Sequence, residues 1–231
     1  DIDIEAPVPC EGIDLDQIEK VGRTLQESVR YRSEAEVGIC MLLSGGIDST
    51  CIAKMAAAVG VRMRAYTASF QDPRFDELPY ARSASSRYAH PLRLCAMDEP
   101  DPVALNRIID CLDEPFGGLS LVSSSFLLRA AKQEGAKVVL TGDGGDELFF
   151  GYEKYSGLGR FRNASDPWRS YLASHSDLPL VGLMNEPPGL GAVLSYAEPY
   201  IRSSVPGART AQYLDLKTSL PGRMLTKLDR I

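Results

Sequence analysis

A doubly wound α/β domain, built on a mainly parallel sheet and followed by an irregular, partly helical C-terminal appendage, is the fold this sequence predicts. Three observations carry it. Apolar runs of strand length alternate with segments of helical periodicity through residue 150. Two of those runs end in glycine-rich loops that lead into further helices. Beyond Gly151 the alternation stops, and Pro, Gly and Ser become frequent, as in Asn185-Glu186-Pro187-Pro188-Gly189.

Taken in order, the first residues through Glu11 are irregular and carry prolines. Asp14 or Asp16 can cap a helix with apolar positions Leu15, Ile18, Val21, Leu25 and Val29. The charge-free run Ile39-Cys40-Met41-Leu42-Leu43 reads as a buried strand, and Ser44-Gly45-Gly46 turns it into a helix. That helix shows Ile52, Met55, Ala56 and Val59 on one face and stops at Gly60. Met63 to Phe70 is the second strand, followed by a turn at Asp72-Pro73 and a helix from Asp76 to about Tyr88. A short strand covers Leu92 to Met97. Leu105, Ile108, Ile109 and Leu112 mark an amphipathic helix broken at Asp113-Glu114-Pro115. A further helix spans about Leu121 to Glu134, and Lys137-Val138-Val139-Leu140-Thr141 is the fourth strand. In such a sheet, ligands bind beyond the carboxyl ends of the strands where strand order reverses.

Bulk properties narrow the function. A formal net charge of −6 argues against a nucleic-acid surface, which needs excess Lys and Arg. No apolar run approaches the length of a membrane span. The five cysteines form no CxxC pair and lie mostly in apolar segments, so reduced, buried thiols in a cytoplasmic protein are expected. His90 and His175 stand far apart and suggest ordinary surface or satisfied residues, not a zinc site.

The chemistry resides in two loops. Ser44-Gly45-Gly46-Ile47-Asp48-Ser49 joins a strand to a helix, so backbone N–H groups and a helix dipole converge where a phosphate would fit. Asp48 would repel phosphate unless a divalent cation stood between them. The second loop, Thr141-Gly142-Asp143-Gly144-Gly145-Asp146-Glu147, has the same strand-to-helix context. Asp48 and Asp146 could therefore share one Mg²⁺ that bridges phosphates held by Ser44, Gly45, Gly46 and Ser49. Read singly, the first loop is also explained as a tight strand-to-helix turn with a capping Ser, and Asp143-Gly144 as a hairpin turn; it is the pair that points to a nucleotide. There is no G-x-x-x-x-G-K-[ST] and no G-x-G-x-x-G opening a helix, which argues against P-loop NTPases and Rossmann dehydrogenases.

Ser44-Gly45-Gly46-Ile47-Asp48-Ser49 resembles the PP-loop of ATP pyrophosphatases, which cleave ATP to AMP and pyrophosphate. Together with Leu140-Thr141-Gly142-Asp143-Gly144-Gly145-Asp146-Glu147, Asp113-Glu114-Pro115-Phe116, Tyr213-Leu214-Asp215-Leu216-Lys217-Thr218 and Leu225-Thr226-Lys227-Leu228-Asp229-Arg230, it resembles the synthetase domain of asparagine synthetases, from about residue 17 onward. The resemblance implies an adenine nucleotide alpha hydrolase-like fold. Residues 1–152 would form the ATP-binding core with its N-terminal helix, and 153–231 an incomplete extension of the same domain. It implies an ATP-dependent ligase that adenylates aspartate or a related acid and transfers ammonia to it. Leu43 and Ala68 would flank adenine, Ser44, Gly45, Gly46, Ser49 and Thr141 would hold the nucleotide, and Gly142 would lie against ribose. Asp48 and Asp146 would carry Mg²⁺, while Asp143 and Glu147 would be catalytic, Asp143 near the incoming amine. The expected partners are small: a carboxylate and ammonia, with a glutaminase domain or subunit and a homo-oligomer left open, and neither nucleic acid nor membrane.

Departures from the pattern are informative too. Glutamine-dependent members open on a cysteine and a glutaminase domain, whereas this chain starts Asp1-Ile2-Asp3, so glutamine hydrolysis is not expected on it. It stops at Ile231, where the family continues to an essential lysine, so a fragment is expected. Gly117 to Ser123 differ from aspartate-selecting members, which leaves the acceptor open, and Ala89-His90-Pro91 replaces a Gly-containing, His-rich segment common in the family. A β-lactam-forming relative would carry Tyr at position 143, a tRNA thiolase would need reactive cysteines or a basic surface, and a degenerate nucleotide-binding domain would not need all three acids. Lys227 and Arg230 are read as solvated charges on a helix face.

Overall fold

The computed structural model describes residues 14–97, 102–112, 120–155 and 207–231. These fall into two compact units: residues 14–142 with Arg230 and Ile231, and residues 143–155 with 207–229. The break at Asp113-Glu114-Pro115, the segment Gly117-Gly118-Leu119, the stretch Asn185 to Gly189, and Cys10 and His175 lie outside the described residues.

The first unit is a parallel sheet with helices on both faces. Its strands are β1 (Gly38–Leu42), β2 (Arg64–Ser69), β3 (Leu92–Ala96) and β4 (Ala136–Leu140), in the order β3-β2-β1-β4. Every neighbouring pair is parallel. Successive side chains of a strand point to opposite faces, and β1 divides accordingly. Met41 and Leu43 enter a core with Val29 of α1 (Leu15–Ser33), Ala53 and Ala56 of α2 (Ile47–Ala58), and Ala81 and Ala84 of α3 (Leu78–Tyr88). Cys40 and Leu42 face the other way, against Tyr66, Leu127 and Ala131, the last two from α5 (Ser120–Gln133). Each fully buried Met41 or Leu43 side chain contributes about 1.5–3 kcal/mol. The helix α4 (Pro102–Asp110) precedes α5.

Asp14 caps α1, its carboxylate accepting from the amides of Asp16 at 3.0 Å and Gln17 at 3.3 Å. Only Val29 of the expected apolar stripe is fully buried. Leu15, Ile18 and Val21 are exposed, and Val29 is the α1 residue that joins the buried core cluster with Ala53 and Ala56. His90 is buried and satisfied: its ring Nε2 lies 2.8 Å from the Ala53 carbonyl, and its Nδ1 accepts from the Met63 amide at 3.4 Å. The preceding Ala89 ends α3 with φ at +56°, a left-handed cap that glycine would occupy with less strain. The cysteines require a correction. Among the described ones only Cys40 is fully buried, with burial pushing its thiol up to about 11, whereas Cys111 is exposed. The sequence sets each of them near apolar residues, but Cys111 follows the end of α4 on its solvent side.

The second unit begins inside the second glycine-rich loop. It contains α6 (Gly145–Phe149), a 3-10 turn at Glu153–Tyr155, α7 (Gly207–Lys217), a π-helical segment Leu220–Leu225, and α8 (Thr226–Arg230). The strand-to-helix reading of the loop therefore holds over the hairpin-turn alternative at Asp143-Gly144. Among the described residues no helix is long and apolar enough to cross a membrane.

Candidate nucleotide-binding and synthetase site

In the first unit, strand order reverses between β1 and β4, and both glycine-rich loops leave the carboxyl ends of these two adjacent strands. Leu43 is core on its side chain, and its amide donates to the Tyr66 carbonyl at 2.9 Å. A ligand can therefore meet Leu43 only through its backbone. Ala68 is half-buried against the opposite core.

The loop from Ser44 to Ser49 is organised by its own hydroxyls. Ser44 Oγ and Ser49 Oγ lie 3.1 Å apart, the Gly46 amide donates to Ser44 Oγ at 3.1 Å, and the Gly45 amide donates to Ser49 Oγ at 3.3 Å. Ser49 Oγ also lies 3.2 Å from the Gly46 carbonyl, as donor. Gly45 has φ at +89°, and a Cβ there would come within 2.4 Å of the Tyr80–Ala81 backbone. No side chain can replace it. Gly46 caps α2 with no side-chain hydrogen bond, so the cap itself places no acceptor over the helix's first turn. Thr50 Oγ1, in that first turn, is buried without a hydrogen-bond partner among the described residues. Asp48 sits half-buried in the same turn.

Thr141 and Gly142 extend from β4 toward this turn. A Cβ on Gly142 would stand 2.8 Å from the Ser49 nitrogen and 2.9 Å from Asp48 Cβ. The second loop thus enters with its backbone pressed against the first. Closed by glycines, rich in amide and hydroxyl donors and carrying one acid, this cradle has the donor set that a Mg²⁺-bound polyphosphate requires.

In the second unit, Gly144 adopts φ +95° and leads into α6, whose first turn holds Asp146 and Glu147. Asp146 lies across the backbone of Gly151: a Cβ there would come within 1.9 Å of Asp146 Oδ1, and the Gly151 amide donates to the Asp146 carbonyl at 2.9 Å. Glu147 is 1% exposed and accepts from the Tyr152 hydroxyl at 2.8 Å. Burial, and then the neighbouring Glu147, raise the Tyr152 phenol above its ordinary range. Glu147, expected as a catalytic group, is thus enclosed and bonded to Tyr152.

Three residues here escape a reading of the sequence: Asp215, Lys154 and Gln212. Asp215 of α7, 1% exposed, pairs with Lys154 Nζ at 2.8 Å and accepts from the Tyr155 hydroxyl. Gln212 Nε2 donates to the Leu148 carbonyl at 2.8 Å. These bonds tie α7 to α6 and the turn after it. Asp215 does lie in a motif, but a lone acid in a helix carries no sign that it is buried.

Lys227 corrects the expectation of a solvated charge. It is 3% exposed. Burial lowers its pKa, the charge of Asp143 raises it, and Arg223 lowers it. Arg230, by contrast, is exposed as expected. Asp143 itself is half-buried. Among the described residues no group of three or more His, Cys, Asp or Glu could hold a metal.

The asparagine synthase family model matches residues 20–231, nearly the whole chain. The chain belongs to the asparagine synthase family. A Mycobacterium bovis protein that carries the provisional name of a glutamine-hydrolysing asparagine synthetase is 35% identical over 144 residues. That match covers 62% of this chain and 22% of the relative. Asparagine synthetase (glutamine-hydrolysing) 1 of Bacillus subtilis is 27% identical, over 60% of this chain and 22% of its own length. An amidase of Penicillium rubens is 31% identical, over 60% and 23%. This family member thus spans about a fifth of the length of these relatives. Among solved structures, an NH3-dependent NAD synthetase from Campylobacter jejuni aligns over 92% of this chain and 98% of its own, with 18% identity and a TM-score of 0.42. The parallel α/β architecture stands on the strand pairing itself.

Proposed function

We propose that this chain is the synthetase part of an ATP-dependent, AMP- and pyrophosphate-forming amide ligase. The single observation that supports it most is the seat of Gly142 on the Asp48–Ser49 backbone, which brings the starts of both motif loops together where strand order reverses. Ser44, Gly45, Gly46 and Ser49 hold the nucleotide phosphates and Thr141 also contacts the nucleotide, with Leu43 and Ala68 beside adenine and Gly142 near ribose. Asp48 and Asp146 are the residues that would hold Mg²⁺, which would supply positive charge to the pyrophosphate leaving group. A carboxylate oxygen of aspartate, or of a related acid, attacks the α-phosphorus, and the bond to pyrophosphate breaks. Ammonia then attacks the acyl carbon, the bond to AMP breaks, and Asp143 accepts the ammonium proton. Glu147, buried against Tyr152, keeps the loop in shape. The names of the relatives suggest glutamine as the source of ammonia, supplied by a glutaminase domain or subunit.

The test is carboxylate-dependent release of pyrophosphate from ATP by the full-length protein, screened across acids beginning with aspartate. Replacement of Asp48 or Asp146 by Ala is expected to reduce that release by at least about a hundredfold. Unchanged release in either variant would remove the assigned roles. ATP binding with no pyrophosphate from any acid would leave a nucleotide-binding domain, and a cyclised product would identify a β-lactam-type ligase.

A further inference from the structure

We propose that Lys227 is a positioning residue for the amide-forming half of the reaction, holding Asp143 in place so that ammonia addition depends on it and adenylation does not. This rests on the function proposed above. Three observations within one unit carry it. The Lys227 ammonium is almost fully buried, an arrangement that lysine adopts only where a compensating charge is near. Asp143 favours the charged form of that ammonium, while Arg223, one helical turn earlier, opposes it. The helix that presents Lys227 packs on the loop that presents Asp143: the Leu220 methyl carbons stand 3.5 and 3.6 Å from where a Cβ of Gly144 would be.

Between Leu220 and Lys227 the helix is π-wound over Leu220–Leu225. Such turns are uncommon and weakly bonded, and they persist mostly where a side chain must be re-aimed. Here the extra residue rotates the face that follows, so that Lys227 turns inward and Leu225 is left exposed. A methionine would fill the same volume without the cost of burying a cation, so stability alone does not call for lysine. In the step it serves, the nitrogen forms a bond to the acyl carbon, the carbon–oxygen bond to AMP breaks, and a proton passes to Asp143. A carboxylate that swings away cannot receive that proton in the transition state.

The experiment uses the full-length protein with Lys227→Met, Lys227→Arg, Asp143→Asn and Lys227→Met combined with Asp143→Asn. Two half-reactions are followed, with aspartate as the acid and ammonium as the amine: exchange of pyrophosphate into ATP, and amide formation. Lys227→Met is expected to leave exchange close to wild type while amide formation falls at least about tenfold, and Lys227→Arg to recover most of the loss. Equal loss in both half-reactions, or no loss in either, would overturn the proposal. A thermal-unfolding cycle provides a readout independent of turnover. Asp143→Asn should lower the midpoint more when Lys227 is present than in the Lys227→Met background. With lysine in place, the substitution leaves a buried ammonium facing Arg223 with one compensating charge fewer. Additive midpoint changes would also overturn it. If no acid supports exchange in the wild type, the functional proposal fails, and the thermal cycle still decides whether Lys227 holds Asp143.

Discussion

Gly142 shows how much one missing methyl group determines at this site. Most glycines in turns serve a backbone angle, but this one serves proximity. The three atoms nearest an added Cβ would be the Ser49 nitrogen and the Asp48 Cβ and carbonyl carbon, none of which can swing aside. Gly142→Ala should therefore separate the loop starts, at a cost of about 1–3 kcal/mol in stability. Because displacements near 1 Å at a reacting centre cost rates heavily, pyrophosphate exchange should fall by about a hundredfold. Gly22→Ala is the contrast. That residue lies inside α1 with nothing within 4 Å of its would-be side chain, so alanine should raise stability by about 0.5–1 kcal/mol without touching exchange. Denaturant midpoints and exchange rates on the two variants check both statements. A Gly142→Ala protein with wild-type exchange would show that the loops tolerate separation.

The elements are joined by polar ties as well as by their apolar cores. Glu134, just past α5, accepts from Arg64 of β2, from the Tyr66 hydroxyl at 3.0 Å and from Arg93 Nε of β3 at 3.1 Å. The Arg64 guanidinium, followed by the Tyr66 hydroxyl, holds its carboxyl below the ordinary 4.5. A carboxylate whose folded pKa is depressed adds stability above its unfolded value and loses it as pH falls through the folded one. Glu134→Gln should accordingly melt below wild type at pH 7, and the gap should close as pH drops below the ordinary 4.5 and through the depressed folded value. A gap independent of pH would mean that packing, not charge, is what Glu134 supplies. At this scale the strands are readable from sequence, because an apolar run such as Ile39–Leu43 is set by burial on both faces and needs no knowledge of its neighbours. The glycine loops are readable for a similar reason, since their chemistry is local in sequence. What cannot be read depends on partners far along the chain. Leu15, Ile18 and Val21 have the right period yet stay exposed, and Lys227 is buried just after a π-helical segment, whose winding departs from the 3.6-residue period.

For the molecule as a whole, the proposed chemistry sets a problem of charge. A chain of net charge −6 is asked to bind a polyanion with two further acids in attendance, Asp48 and Asp146, and a helix terminus alone supplies too little positive potential for that. A divalent cation resolves it, and then ATP binding and metal binding must be coupled. ATP with Mg²⁺ should raise the unfolding midpoint of the full-length protein, with a stabilisation of about 2.7 kcal/mol at a hundredfold excess over Kd, whereas ATP with a chelator should not. Asp48→Ala and Asp146→Ala should each remove the Mg²⁺-dependent part. The double variant is the decisive one. If both carboxylates serve a single ion, whichever is removed first takes the effect with it, and removing the second costs little more. Losses that simply add would mean that the acids act on separate ions or on none. The two motifs would then be independent features of the fold, and the proposed metal site would have to be given up.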